Sequence, residues 1–249
     1  MAQSVGDQAI VQTVSQLLNV SVSTAQSIVD DFAATFSGPL MNQLGSIRIR
    51  DILKRKNPYM YAASGIQSCA DLVRRALNDF VSSSTETLFG NFLERMALTI
   101  SGGHKSATQG VDIERRRENL AELYVVKSGP AAFNSASRRD AERSLDIAER
   151  RLRQGNVQVQ KYIGFAYGRK RTTVLRGVTV LSSKDFWARL SGRGDFHQRL
   201  LDACAALSGL FLQPAIVATG QRLLQEAHSN NLCVNGNINW NRVLQLVSG

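Results

Sequence analysis

Only three of the 249 residues are cysteine and only three are histidine, and both sets are scattered: Cys69, Cys204 and Cys233; His104, His197 and His228. An odd thiol count without a CxxC pair argues against a zinc site or a disulfide framework, so the cysteines read as small buried apolar residues. The dispersed histidines offer no imidazole cluster for a metal. No apolar run is long enough to span a bilayer. The opening MAQSVGDQAIVQTVSQLLNV lacks the basic start and small-residue cleavage site of a secretion signal. A cytoplasmic protein with no membrane association is the expectation. Internal repeats, low-complexity linkers and clear composition breaks are also missing, so one domain over 1–249 is the default.

What is present is ordinary in bulk and unusual in charge. The 43% hydrophobic and 20% charged content is that of a globular protein able to bury a sizeable core. The formal net charge of +10 points to a polyanionic partner, of which nucleic acid is the commonest. A membrane surface would require a basic amphipathic terminal helix, and neither end supplies one.

Apolar spacing divides the chain into a helical part at about 1–98, an α/β core at about 99–182 and C-terminal helices at about 183–249. In the first part, Ser82-Ser83-Ser84 separates a helix over about 67–81 from another over about 85–98, with Ser84 or Thr85 as its cap. GVDIE (110–114) and LAELYVVKSG (120–129) read as two strands of a hairpin turned by Arg115–Asn119. A basic helix over about 137–154, capped by Ser135 or Ser137, buries Ala141, Leu145, Ala148 and Leu152. VQVQKYIGFAYG (157–168) and VLRGVTVL (174–181) are two further strands. The predicted fold is α/β: a mixed sheet with helices on both sides and extra helices at each end.

Within that frame the chemistry centres on Asp112 and Lys127, one on each strand of the hairpin. A carboxylate is a hard-oxygen ligand suited to Mg²⁺, and a neighbouring lysine can orient an attacking water and stabilise charge on a phosphate. Phosphodiester hydrolysis needs those parts. Spacing alone is unspecific, since an acid and a lysine fifteen positions apart occur in most proteins.

Ordered segments narrow the choice. KRKNPYMY (54–61), SSSTETLFGNFLE (82–94), GGHKSATQGVDIE (102–114), YVVKSGPAAFNS (124–135), GRKRTT (168–173) and KDFWARLSG (184–192) together resemble one branch of the type II restriction endonucleases, within the PD-(D/E)xK nuclease superfamily. The resemblance covers about residues 50–195. It implies a restriction-endonuclease-like core and Mg²⁺-dependent, sequence-specific cleavage of double-stranded DNA. It also implies a homodimer matched to a palindromic site, and a cognate DNA methyltransferase protecting the host. Asp112 and Lys127 would then be the acid and the lysine of the superfamily site.

One position departs from the pattern. The acid expected two residues before the lysine is Val125. Alternation puts Leu123, Val125 and Lys127 on one strand face and Glu122 and Tyr124 on the other, so Glu122 does not replace it. The resemblance offers Glu94, from the helix before the hairpin, as the substitute carboxylate. Glu114 is a further candidate ligand, or a hairpin-end acid paired with the arginines after it, and Glu86 reads as a first-turn acid complementing a helix dipole. Candidate DNA contacts are Lys105, Ser128, Asn134, Arg138, Arg139, Arg169, Lys170 and Arg171. Further basic groups (Arg48, Arg50, Lys54, Arg55 and Lys56; Arg115, Arg116 and Arg117; Arg150, Arg151 and Arg153) compete with solvated faces for that role. Two other functions share these features: a repair nuclease reading structure or damage, and a non-catalytic DNA-binding protein, which Val125 and the basic groups favour.

Overall fold

Each of the two faces of one central strand has its own packing problem to solve. In the computed structural model, which describes residues 5–129, 133–168, 171–208 and 212–248, five strands form one mixed sheet. They are β1 (Ile113–Arg117), β2 (Leu120–Lys127), β3 (Gln158–Phe165), β4 (Thr173–Leu175) and β5 (Val178–Leu181), in the order β1-β2-β3-β5-β4. β2 pairs antiparallel with β1 and parallel with β3, which pairs parallel with β5, and the β4–β5 hairpin closes the edge. Flanking helices complete a mixed α/β fold, as the sequence predicts.

Period-two alternation assigns the faces. Ala121, Leu123 and Val125 of β2, Ile163 and Phe165 of β3, and Val178 and Val180 of β5 form one core with Ala141, Leu145, Ala148 and Leu152 of α7 (Ser135–Arg153). The missing acid is explained here: Val125 is 1% exposed in that core, where an unpaired carboxylate would be costly to bury. On the other face the Tyr124 and Tyr162 rings stack, with centroids 4.9 Å apart. Glu122 accepts hydrogen bonds from Arg115 Nε at 2.6 Å and from Arg189 of α8 (Ser183–Ser191) at 2.6 Å. The Arg189 guanidinium also lies 4.2 Å from the Tyr162 ring centre. Gly164 is required on this face, because any side chain there would run into the Phe186 ring of α8.

Several expected boundaries move. β1 continues through Arg117, and the turn is only Glu118-Asn119, because Arg115 has an ion-pair partner inside the fold rather than in solvent. The single strand expected at 174–181 is a hairpin, turned at Arg176 and Gly177, whose φ values are 53° and 74°. Helices expected on either side of Ser82-Ser83-Ser84 are one helix, α6 (Cys69–Ser101). The hydroxyls of Ser83, Thr85 and Thr87 donate to the carbonyls of Asp79, Val81 and Ser83 one turn back, so they ride the helix instead of capping a new one. Asn134, not Ser135 or Ser137, caps α7 by accepting the N–H groups of Ala136 and Ser137.

The chain divides into two compact units, neither continuous in sequence, with the boundary falling inside α6. The sheet unit comprises 1–33 and 90–207, and includes α1 (Val5–Leu18), α2 (Val22–Phe32) and α9 (Phe196–Ser208). The helical unit comprises 34–89 and 208–249, with α3 (Gly38–Ser46), α4 (Ile49–Leu53), α5 (Pro58–Ala63), α10 (Leu212–Ser229) and α11 (Trp240–Ser248). Within it, the expectation of three unpaired cysteines fails: Cys69 and Cys233 are disulfide-bonded, their Cα atoms 5.8 Å apart across 164 residues. The hairpin of β6 (Cys233–Val234) and β7 (Asn237–Ile238) brings them together, through Cys69 N–H donating to Gly236 O. Sequence spacing carries no information on such a contact. Cys204 keeps a free thiol, pushed up to about 11 by burial. Among the described residues no single helix is long and apolar enough to cross a membrane.

The buried Glu122 generates a stability prediction. Burial alone would raise its pKa, but the Arg115 and Arg189 guanidinium groups reverse that and hold it below the usual carboxylate range. A depressed folded pKa contributes stability above the unfolded value, which is lost as pH falls through the folded value. Glu122→Gln therefore lowers unfolding free energy at neutral pH by about 3–5 kcal/mol, since Arg115 is left buried without its counter-charge. In denaturant titrations the gap from wild type narrows on acidification; equal stability at pH 7 would contradict the assignment.

Candidate active site

Asp112 immediately precedes β1 and already belongs to the ladder, its N–H donating to Tyr124 O at 2.9 Å. Its carboxylate is aimed by a backbone donor: Val126 N–H gives Oδ2 a 2.7 Å hydrogen bond. Lys127 ends β2, where Ala166 N–H donates to its carbonyl at 2.8 Å. The lysine acts electrostatically on Asp112, lowering its pKa. The hairpin thus brings together the two residues expected from sequence.

The helix supplies the third. Gly90 and Glu94 of α6 lie one turn apart on the same helix face. A side chain at Gly90 would sit 3.6 Å from Ser128 Cβ, which places that face beside the end of β2. Lys105, in the loop after α6, then joins the acids: its Nζ is 2.5 Å from Glu94 Oε1 and 3.5 Å from Asp112 Oδ1. Two carboxylates from a helix and a strand edge therefore converge on one cationic position. Lys105, expected as a DNA contact, is here the counter-ion of both. Burial opposes its charge, but the Glu94 carboxylate outweighs that and moves its pKa upward.

Glu114 is differently occupied. It is buried, receives Arg116 at 2.9 Å and Arg151, and accepts from Ser106 Oγ at 3.3 Å. Its backbone exchanges hydrogen bonds with His104, so it anchors the loop that carries Lys105. Burial would raise its pKa; the two arginines lower it instead. Among the described residues no three His, Cys, Asp or Glu side chains gather into a metal cluster.

The candidate DNA contacts vary in their freedom. Asn134 spends its side-chain oxygen on the α7 cap. Arg138, a third exposed, donates to Glu142 at 2.8 Å while its Nη2 is buried without a hydrogen-bond partner. Arg139 and Arg171 are exposed, and Ser128 is half-buried. Arg169 and Lys170 lie outside the described residues. One neighbour was not legible in sequence: Tyr167, 57% exposed, donates its N–H to Ser128 O at 2.9 Å. Its ring covers Gly129, where an added Cβ would lie 2.5 Å from Tyr167 Cζ. No spacing rule marks that tyrosine.

Asp112 carries an electrostatic cost that Glu122 and Glu114 avoid. Burial is the main cause of its raised pKa and the Glu94 charge adds to it; the Val126 N–H, Lys105 and Lys127 offset this only in part. An acid raised on folding contributes most stability below its unfolded pKa, and that contribution is lost as pH rises through the folded value. Asp112→Asn mimics the protonated form and still accepts from Val126. It is expected to raise Tm at pH 7, with the gain shrinking as pH falls through the carboxylate range. A lower Tm than wild type at pH 7 would contradict the poised, destabilised acid.

No curated protein matches the chain. Residues 23–206, however, match the family model described as type II restriction endonuclease EcoO109I. That span is well over half of the chain and includes β1 to β5, the helix bearing Glu94 and the loop bearing Lys105. A nuclease-type sheet, an acid and a lysine at the end of its hairpin and the family match agree: the chain belongs to the EcoO109I family of type II restriction endonucleases.

Proposed function

We propose that the protein hydrolyses phosphodiester bonds in double-stranded DNA at a specific sequence, with Mg²⁺ held by Asp112 and Glu94. The observation that carries this reading is the convergence of those two carboxylates on one cationic position, at the end of the strand that bears Lys127. The donor set fits the ion. Mg²⁺ typically takes one or two carboxylates and fills its remaining positions with water and substrate phosphate, so a cage of three protein acids is not needed. Bound there, it would polarise the phosphoryl oxygen and favour ionisation of a water.

The remaining work falls to this chain's own groups. Val126 N–H fixes the direction of Asp112, so the carboxylate does not have to be ordered on substrate binding. Lys127 orients the attacking water by hydrogen bonding and stabilises the negative charge growing on the phosphate. Lys105 is 60% exposed on a loop, placed to exchange its carboxylate partners for a DNA phosphate. Arg138 and Arg139, in the first turns of α7, are the phosphate contacts assigned to that helix. Glu114 is assigned to the loop anchor rather than to the metal, because Arg116 and Arg151 already claim it. Two copies acting on a palindromic site, and a methyltransferase shielding that site in the host, complete the proposal.

Digestion of unmodified plasmid DNA with Mg²⁺ tests it. Discrete fragments with defined ends are expected; nicking that depends on branches or mismatches would point instead to a repair nuclease, and binding without cleavage to a non-catalytic protein. Asp112→Ala and Lys127→Ala should each lower the cleavage rate by roughly 10²–10⁴-fold. Glu94→Gln should do the same; wild-type cleavage by that variant alone would remove Glu94 from the site and leave the other two in place.

A further inference from the structure

The acids around the hairpin are served by two kinds of cation. Glu122 and Glu114 are buried, and each is paired with two arginines. Glu94 and Asp112 share a lysine instead, Lys105, whose side chain is largely exposed. A guanidinium fork holds a carboxylate in a fixed geometry, whereas an ammonium on a flexible stem is a point charge that exchanges partners easily. Such an exposed pair adds little to stability. The chain nonetheless aims it closely. His104 exchanges two backbone hydrogen bonds with Glu114, at 3.0 and 2.9 Å. Gly103 lies so near the strand that an added Cβ would be 2.8 Å from Glu114 O. After the lysine, Ser106 Oγ donates to Glu114 at 3.3 Å and accepts from Thr108 N–H at 3.2 Å. The residues on both sides of Lys105 are therefore fastened to β1, while its stem keeps rotational freedom. On the receiving side, Val126 N–H holds Asp112 in place.

We propose that Lys105 is a tethered competitor of the divalent metal: its ammonium neutralises Glu94 and Asp112, and the ion binds these two acids only by displacing it. This inference rests on the metal role proposed for the two carboxylates and adds its regulation. An ammonium 2.5 Å from Glu94 Oε1 and 3.5 Å from Asp112 Oδ1 opposes a dication at those oxygens twice over. It cancels part of their negative charge, and it repels the incoming ion directly. Because the lysine is part of the chain, its local concentration at the acids is high and does not fall on dilution. Lys127 cannot take this part, since among the described residues its side chain forms no ion pair with either acid. The site is therefore held shut against metal until Lys105 is drawn to another anion.

Calorimetric titration of the full chain with Mn²⁺, in the absence of DNA, tests the competition without any turnover. Lys105→Met keeps most of the stem and removes the charge. It should bind Mn²⁺ about tenfold or more tightly than wild type. Lys105→Arg keeps the charge and should stay as weak as wild type. The sign of the change is diagnostic, because a variant that merely disturbed the loop would bind the ion less well. The proposal is overturned if Lys105→Met binds Mn²⁺ no more tightly than wild type, or if Lys105→Arg binds as tightly as Lys105→Met. Asp112→Asn and Glu94→Gln, each added to Lys105→Met, locate the ion. Both should abolish the gain. If both leave Mn²⁺ binding unchanged, the metal role of the two acids fails, and the competition fails with it. If they abolish binding while Lys105→Met shows no gain over wild type, the metal role stands and only the competition falls.

Discussion

Everything in the candidate active site depends on the register of β2. This strand is hydrogen-bonded along both edges, antiparallel to β1 and parallel to β3. Its alternation sends Ala121, Leu123 and Val125 into the α7 core and Glu122 and Tyr124 towards α8. A slip of one residue would exchange the faces, burying Glu122 among leucines and turning Lys127 away. The cost of burying that carboxylate unpaired is several kcal/mol, so the ion pairs of Glu122 and the position of Lys127 are set by the same constraint.

The same constraint accounts for the altered acid pattern. A carboxylate at 125 would have to enter a packed apolar layer, and the layer holds Val125 instead. Glu94 reaches the neighbourhood from α6, whose Gly90 lies beside Ser128. The three acids on the hairpin thus fall into two electrostatic settings. Glu122 and Glu114 each have two arginines, which overcome burial and lower their pKa values. Asp112 is half-buried, crowded by Glu94 and offset only in part by Val126 N–H and two lysines, so it is raised. A site short of positive charge in the folded protein is one that gains from a cation, which is the electrostatic content of the proposed metal role.

Parts of this were legible in the chain because they are local or patterned. Alternation placed β2 and β3 and separated Glu122 from Lys127; helical spacing marked the buried stripe of α7. Boundaries were less legible where tertiary partners decided them. Arg115 looks like a turn residue until Glu122 is beside it, and the hydroxyls of Ser83, Thr85 and Thr87 look like caps until their bonds to preceding carbonyls are seen. The Arg176-Gly177 turn was hidden inside an apolar run, although Gly177 marked it in retrospect.

By itself, the sequence determined the hairpin of β1 and β2, the strand β3, the family resemblance and the placement of Asp112 and Lys127 on that hairpin, because these rest on residue order and alternation. The resemblance offered Glu94 as the further acid, but only the tertiary structure shows Glu94 and Asp112 facing the same Lys105, through packing of a helix and a loop against a strand end. It also decided that Glu114 is claimed by Arg151, thirty-seven positions away, and that Cys69 bonds to Cys233. The division into two discontinuous units belongs with these. Such contacts join segments far apart along the chain, where periodicity carries no record of distance and only the packed fold brings the charges within reach of one another.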